Sequence, residues 1–361
     1  LTTISKEIII AIENHSYLQK VNLYMNFKNI LKPVVLALSL GAASVQAADV
    51  VNIYTTREPG LLKPILEAFE KDTGIKAETV FVKDGLAERV ESEGDKSPAD
   101  VLMVVDISQL TNLVERGLTQ PTDSKVLTEV IPEQYRDPNN HWFALSLRYR
   151  VLYARKDMPL DSFNYEDLAD PKYKGRVCIR SGKHPYNATL FGAMIAHNGV
   201  EETEAFLKGV KANLARKATG GDRNVARDIL GGICDLGFAN SYYVGKMYAD
   251  PKQKEWAEAI KVIKPTFKKT GGTHANISGA AVAKYAPNKD NAVKLLEYLV
   301  GPTAQEMYAK VNYEHPIRAG VAPDPIIAEF GEFKADTLPL IEVPKHRKTA
   351  TEIVEKIGFD D

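Results

Sequence analysis

Two adjacent tyrosines, Tyr242 and Tyr243, follow a short apolar run over 234–239 and precede Lys246-Met247-Tyr248. The run reads as a buried strand, and the chain from Lys246 reads as a helix start. Two phenols therefore sit on a strand-to-helix turn, where open α/β sheets put their ligand sites. Neighbouring residues on such a turn diverge, so only a small ligand touches both. A lone Tyr-Tyr pair is ordinarily one core and one surface side chain, because tyrosine is common at half-buried positions. A third tyrosine changes that balance. Tyr186 lies eight positions after Cys178, in a second expected strand over 176–180, and Tyr242 lies eight positions after Cys234. If the cysteines face each other, both turns open on one sheet edge and Tyr186 comes near Tyr242 and Tyr243. A single cysteine pair in an exported chain suits a disulfide between Cys178 and Cys234, two buried thiols being the alternative.

Three converging phenols suggest a hard trivalent cation. A phenol has a pKa of about 10, so it ionises at neutral pH only beside strong positive charge. Three phenolates would neutralise Fe(III), and hard oxygen donors suit that ion, whereas zinc or copper would call for His or Cys. Fe(III) takes more than three donors, so an anion or water should complete the shell. Arg57, at the end of the first expected strand, and Arg148, on a long central strand, are candidates to cradle such an anion, since arginine binds oxyanions through a bidentate fork. Each of them reads equally as a solvated charge or a salt-bridge partner.

The elements that must position these groups follow a regular alternation. A β-branched strand over 50–56 ends in Arg57-Glu58-Pro59-Gly60. Leu62, Ile65, Leu66 and Phe69 then recur at helical spacing. A strand over 75–82, a short helix over 86–93, an apolar strand over 98–105 and a helix over 107–116 complete a doubly wound pattern. The segment 143–154 is too long for one ordinary strand and reads as a crossing between lobes. Beyond it come a strand over 176–180, helices over 187–197, 201–210 and 223–230, and a strand over 234–239. Residues 259–267 are extended and suit a return crossing. A Gly/Ala-rich strand over 277–285 and helices over 291–300 and 303–311 come next, and 345–356 reads as a solvated amphipathic helix.

Composition limits the alternatives. The 361 residues allow two full domains, and 46 Lys+Arg against 47 Asp+Glu argue against a nucleic-acid surface. Two cysteines exclude a CxxC metal cluster. The histidines (141, 184, 197, 274, 315 and 346 among them) show no HxxxH-type spacing. His184 lies close enough to Tyr186 to reach the site, and His274, in a Gly-rich loop, is expected to stand behind the ligands at most. No GxSxG, GxxxxGK[ST] or GxGxxG motif is present, and no base-nucleophile-orienter set, so the chain reads as a non-enzyme. Near the start, Met25-Asn26-Phe27-Lys28-Asn29, an apolar run over 30–40 and Val45-Gln46-Ala47 form a signal peptide over 25–47, with residues 1–24 an expected non-native extension. Four lysines and two glutamates in residues 1–47 leave the remainder at net −3.

From Val50 onward the chain resembles bacterial periplasmic ferric-ion-binding proteins, the substrate-binding components of iron(III) ABC importers. The match rests on Ser97-Pro98-Ala99-Asp100-Val101-Leu102, Gly175-Arg176-Val177-Cys178-Ile179-Arg180-Ser181-Gly182, Tyr186-Asn187, Asn240-Ser241-Tyr242-Tyr243, Gly272-Thr273-His274 and Asn276-Ile277-Ser278-Gly279. The resemblance implies an α/β, two-lobed periplasmic binding protein fold (type II), each lobe a doubly wound sheet, joined by extended hinge strands. The expected lobes are 48–147 with 275–312, and 148–274 with 313–361. It implies Fe(III) ligation by Tyr186, Tyr242 and Tyr243. Many members carry a His or His-Tyr pair after the first strand, where this chain has Arg57-Glu58-Pro59-Gly60. A subset with arginine there binds carbonate (or bicarbonate) together with iron, which supports Arg57 and Arg148 as the anion cradle and leaves contact between Glu58 and metal open. Expected partners are an inner-membrane ABC permease and its ATPase, and the expected state is a periplasmic monomer. The competing expectation is a binding protein of the same fold for an oxyanion, a polyamine or a sugar.

Overall fold

The computed structural model describes residues 49–361. The expected extension over 1–24 and signal peptide over 25–47 lie outside the described residues. Among the described residues are nine strands: β1 (Val50–Thr55), β2 (Lys76–Phe81), β3 (Val101–Val104), β4 (Thr119–Gln120), β5 (Phe143–Arg155), β6 (Leu236–Asn240), β7 (Ile260–Ile263), β8 (Ala275–Ala283) and β9 (His315–Pro316). β1 pairs in parallel with β2 and β3, and β8 runs antiparallel to β3. The order is β2-β1-β3-β8-β5-β6, with β4 on β8 and with β7 and β9 on β5. The helix Pro59–Thr73 buries Leu62, Ile65, Leu66 and Phe69, the face its spacing marks out, and it stops where Gly74 turns left-handed at φ 72°. The helix Ile107–Glu115 starts at Asp106, whose carboxylate accepts the Ser108 N–H at 2.8 Å.

β5 connects the two halves. It has 13 residues, all but the last buried. Its first half pairs with β8, and its second half, Arg150 to Ala154, pairs with β6. One strand therefore belongs to two sheets, as its length led one to expect. The return crossing differs from expectation. The segment 259–267 does not cross, because β7 pairs with the second half of β5 from Leu152 to Arg155. The chain returns through β8, which starts beside Tyr149 and ends on β3 and β4. The strand expected over 176–180 is reduced to Val177, bridged in parallel to both Leu214 and Leu236, two residues after Gly175 turns the chain at φ 71°.

The apolar side chains gather on the two sheets separately. One core draws on residues 51–147 and 277–308, with Ile317 and Leu340 added. On the second sheet, Leu152, Phe191, Phe238 and Val354 belong to one cluster, and Tyr153, Cys178, Cys234 and Met247 to a neighbouring one. The C-terminal helix is not solvated on all sides. Arg347–Lys356 buries Ala350, Ile353 and Val354, because an apolar stripe three to four residues apart covers the turn before Tyr186. A Cβ at Gly182 would meet Val354 and Phe359 at 2.9 Å, and the Asp360 carboxylate accepts the Gly182 N–H at 2.7 Å.

Candidate metal centre

The two tyrosine turns are built by different devices. His184 caps the helix Pro185–Asn198: its Nδ1 accepts the Tyr186 N–H at 3.2 Å, and Pro185 supplies the first helical residue. Tyr186 is thus fixed on the first turn. Tyr242 and Tyr243 follow β6 and open the helix Tyr243–Ala249. That helix sits close to its neighbour at Gly245, where a Cβ would run into the Tyr313 ring. A disulfide joins Cys178 to Cys234, Cα atoms 5.8 Å apart, and so staples the approach to one turn to the approach to the other.

The turns meet. The Tyr186 and Tyr242 hydroxyls lie 3.2 Å apart, and the Tyr242 and Tyr243 ring centres are 4.2 Å apart. All three line a cavity of about 260 Å³ together with Arg57, Glu58, Arg148, Arg223, Lys246 and Glu314. Each ring has a cation over it. Arg148 and Arg180 stand 5.2 and 5.0 Å from the Tyr186 centre, Lys246 5.4 Å from Tyr242 and Arg223 5.8 Å from Tyr243. Burial raises the Tyr242 pKa well above the usual phenol value, and the Tyr186 and Tyr243 phenols beside it add to the rise. Tyr243 is raised as well, by burial first. These two phenols hold their protons at neutral pH. Burial lowers the pKa of Lys246, with Arg57 and Arg223 adding to the effect against the pull of Glu314.

Arg57 and Arg148 reach the same cavity, each already engaged. Arg57 Nη2 donates to both oxygens of Glu314 at 3.0 Å and to the Ser278 hydroxyl. Arg148 donates to Ser278 Oγ at 3.1 Å and to the Val105 carbonyl. Burial pushes the Glu314 carboxyl up, but Arg57 and Arg148 outweigh it and hold the group below the usual carboxylate range, and the Ser146 hydroxyl donates to it as well. Glu58 lines the cavity from an exposed position. His184 is occupied as a cap, and its pKa falls to about 3 through burial and the nearby Arg180. His274 stands apart, in a separate cavity of about 310 Å³ that it shares with Tyr135 and Asp336, a larger space with no tyrosine triad. Among the described residues, no three His, Cys, Asp or Glu side chains form a metal-holding group.

Several residues in and around this site went unnoticed in the sequence. Glu314 follows Tyr313, which takes a left-handed φ of 59° just past the helix Pro302–Asn312, and nothing in the local pattern marks it. Ser146 and Arg150 carried a readable signal: with Arg148, already singled out, they are polar residues two apart in an otherwise apolar strand, which puts them on one face. Behind the tyrosines, Arg150 donates to Asp222 at 2.5 Å and Arg180 donates to the same carboxylate at 3.1 Å. No sequence motif linked these three.

Comparison with known proteins places the chain. The model for bacterial extracellular solute-binding proteins matches residues 96–326. The chain belongs to this family. Among relatives of this solute-binding family, Iron uptake protein A1 of Synechocystis sp. is 40% identical over 314 residues, covering 86% of this chain and 87% of the relative. A solved Bordetella ferric binding protein is 64% identical, with a TM-score of 0.82, over 87% of this chain and 100% of that one. A Trichodesmium protein solved in complex with iron and citrate ligands is 37% identical, with a TM-score of 0.81, over 86% of this chain and 99% of its own. The fold is the two-lobed type II fold of these solute-binding proteins, and the family consists of binding proteins rather than enzymes.

Proposed function

We propose that this chain is the periplasmic Fe(III)-binding component of an iron importer. Ferric ion is held by the phenolates of Tyr186, Tyr242 and Tyr243, and a synergistic anion, carbonate in the first instance, is cradled by Arg148 and Arg57. The observation that carries the reading is the 3.2 Å separation of the Tyr186 and Tyr242 hydroxyls in a cavity also lined by Tyr243, Arg57 and Arg148. Two phenol oxygens that close share one cation without rearrangement, and the surrounding cations favour the ionised form. The names of the relatives point the same way, and the citrate of the Trichodesmium complex makes a carboxylate a second candidate anion. The lobes run over 48–147 with 275–312 and over 148–274 with 313–361, a division that the separate cores of the two sheets support except at Ile317 and Leu340, which pack in the first core. The carrier works as a monomer and delivers its ion to an inner-membrane ABC permease with its ATPase.

One observation favours a second reading. Arg57, Arg148, Arg223 and Lys246 outnumber Glu58 and Glu314 in the cavity, so an oxyanion alone would be welcome there. The same excess of cations counts against a polyamine. Titration of the purified protein with ferric citrate, with and without bicarbonate, separates the two readings. A phenolate-to-iron charge-transfer band in the visible that saturates at one iron per chain is the expected result. A colourless protein that takes up an oxyanion but no iron establishes the second reading.

A further inference from the structure

Behind the tyrosines lies a buried ionic cluster that touches none of the cavity's free space but touches both turns that shape it. Asp222, the first residue of the helix Asp222–Leu230, is fully buried. One of its oxygens accepts from Arg150 at 2.5 Å and from the Asn240 backbone N–H at 2.8 Å, and the other accepts from Arg180 at 3.1 Å. Arg150 then reaches both ways. It donates to the Asn240 side chain at 3.1 Å and to the Phe238 carbonyl at 3.3 Å on one side, and to the Asn187 side chain at 2.6 Å on the other. Asn187 is the neighbour of Tyr186 and ties back to the Arg180 and Ser181 carbonyls at 3.0 and 3.2 Å. Asn240 stands two residues before Tyr242. A single guanidinium fork therefore bridges the two turns, and a single carboxylate fixes the fork.

The disulfide cannot do this alone. It joins Cys178 to Cys234, eight residues before each of Tyr186 and Tyr242, and eight residues of chain leave the hydroxyls free to move apart. The cluster acts next to the tyrosines themselves. Replacing so buried a pair by apolar side chains often costs little stability, and the best-attested use of such a pair is to hold one register between two segments.

We propose that Arg150, Asp222 and Asn187 are positioning residues that hold the Tyr186 turn and the Tyr242 turn in the register that brings their phenol oxygens together. The inference rests on the ferric reading above and adds residues to it that no ligand set contains. Groups that orient metal ligands from behind typically change metal affinity by about 10- to 100-fold when replaced.

The test uses the full mature chain with its disulfide intact, in three forms: parent, Asn187→Ala and Arg150→Lys. Asn187→Ala removes the link from Arg150 to the Tyr186 turn together with the ties to the Arg180 and Ser181 carbonyls, and leaves Arg150 on Asp222 and Asn240. Arg150→Lys keeps the charge but loses the fork that spans both turns. Each is checked by far-UV circular dichroism and thermal melting, loaded with ferric citrate, and measured for the visible band and for iron retention against a competing chelator. The expected result is one iron per chain in all three, with the band of both variants shifted and weakened and iron retention lowered about 10- to 100-fold. Variants that fold as the parent does and keep its band and its iron within about twofold overturn the inference, on the same scale. Should Arg150→Lys fail to fold, Asn187→Ala decides alone. A parent that never colours overturns the ferric reading, and this inference with it; a coloured parent beside identical variants overturns this inference only.

Discussion

Arg57 cannot serve an anion freely while both of its bonds to Glu314 stand at 3.0 Å. Arg148 engages a hydroxyl and a carbonyl rather than a carboxylate, so in the proposed cradle it is the arm freer to meet an anion. Glu314→Gln should therefore do two things. It leaves a buried guanidinium without its counter-charge, a change worth roughly 3–5 kcal/mol when one partner of such a pair is lost, so the melting temperature falls in anion-free buffer. Bicarbonate or citrate should then restore it. A melting temperature unchanged by the substitution, or insensitive to either anion, would show that Arg57 is held for packing alone. The phenols matter more for iron itself: Tyr242→Phe should weaken ferric binding far more than Arg57→Ala does, as read by chelator competition.

The pH dependence also belongs to these side chains. Tyr242 and Tyr243 have raised pKa values, so below a pH of about 10 they are protonated in folded and unfolded chain alike and add no pH slope to the stability of the metal-free protein. The stability that comes from keeping them neutral is lost only as pH rises through their folded values. Metal binding shows the opposite dependence. On the proposed ligation, iron displaces the proton of each ligating phenol, so loading releases protons and weakens on acidification. Weakly buffered titration should record that release, and Tyr242→Phe should reduce it. Glu314 is not the group that titrates first. Its pKa is depressed, so its contribution is present above the ordinary glutamate value of about 4.3 and is lost only as pH falls through its folded value. Iron loss in mild acid would then come from the phenols and the anion.

At the scale of elements, the second sheet depends on a staple and a gap. The disulfide closes a span of 56 residues, which the chain-entropy argument values at about 4 kcal/mol. Replacing both cysteines by serine should lower the urea midpoint of unfolding and, because the staple lies ahead of both tyrosine turns, reduce iron retention as well. The gap is Gly237, where a Cβ would fall inside the Cys178 carbonyl oxygen. The bridge between Val177 and Leu236 can form only because the β6 residue facing that carbonyl has no side chain. Gly237→Ala should separate this pair and destabilise the protein by more than an ordinary glycine-to-alanine change, which the same urea titration would register.

At the scale of the molecule, β5 and β8 run between the two sheets, and the cavity lies where the residues of both meet. Asp106, at the end of the first sheet's β3, accepts from Thr189 of the tyrosine-bearing helix at 3.0 Å and from Asn276 of β8 at 2.8 Å. Such contacts between halves are the material of hinge closure. Ferric loading should lower the radius of gyration measured by small-angle X-ray scattering, and Asp106→Ala should reduce that change while leaving the visible band in place. A scattering curve that iron does not alter would mean the site is held in one half alone.

The alternation of strands and helices, the overlong β5 and the three tyrosines were legible in the sequence, because each rests on local spacing: period two, period 3.6, or a fixed offset from a cysteine. The register that lets Tyr186 and Tyr242 touch was implied by equal offsets, and the same polar stripe that carried Arg148 also carried Ser146 and Arg150. Other features were decided only in three dimensions. The return crossing moved from 259–267 to β8, because an extended segment does not reveal which strand it will pair with. The strand over 176–180 shrank to one bridge, because pairing depends on what lies opposite. Glu314 entered the cavity from 257 residues beyond Arg57, and Asp222 collected two arginines from distant strands and turns. Buried charges find partners by proximity in the folded chain, and proximity between residues so far apart in sequence is set by packing, which no local pattern encodes.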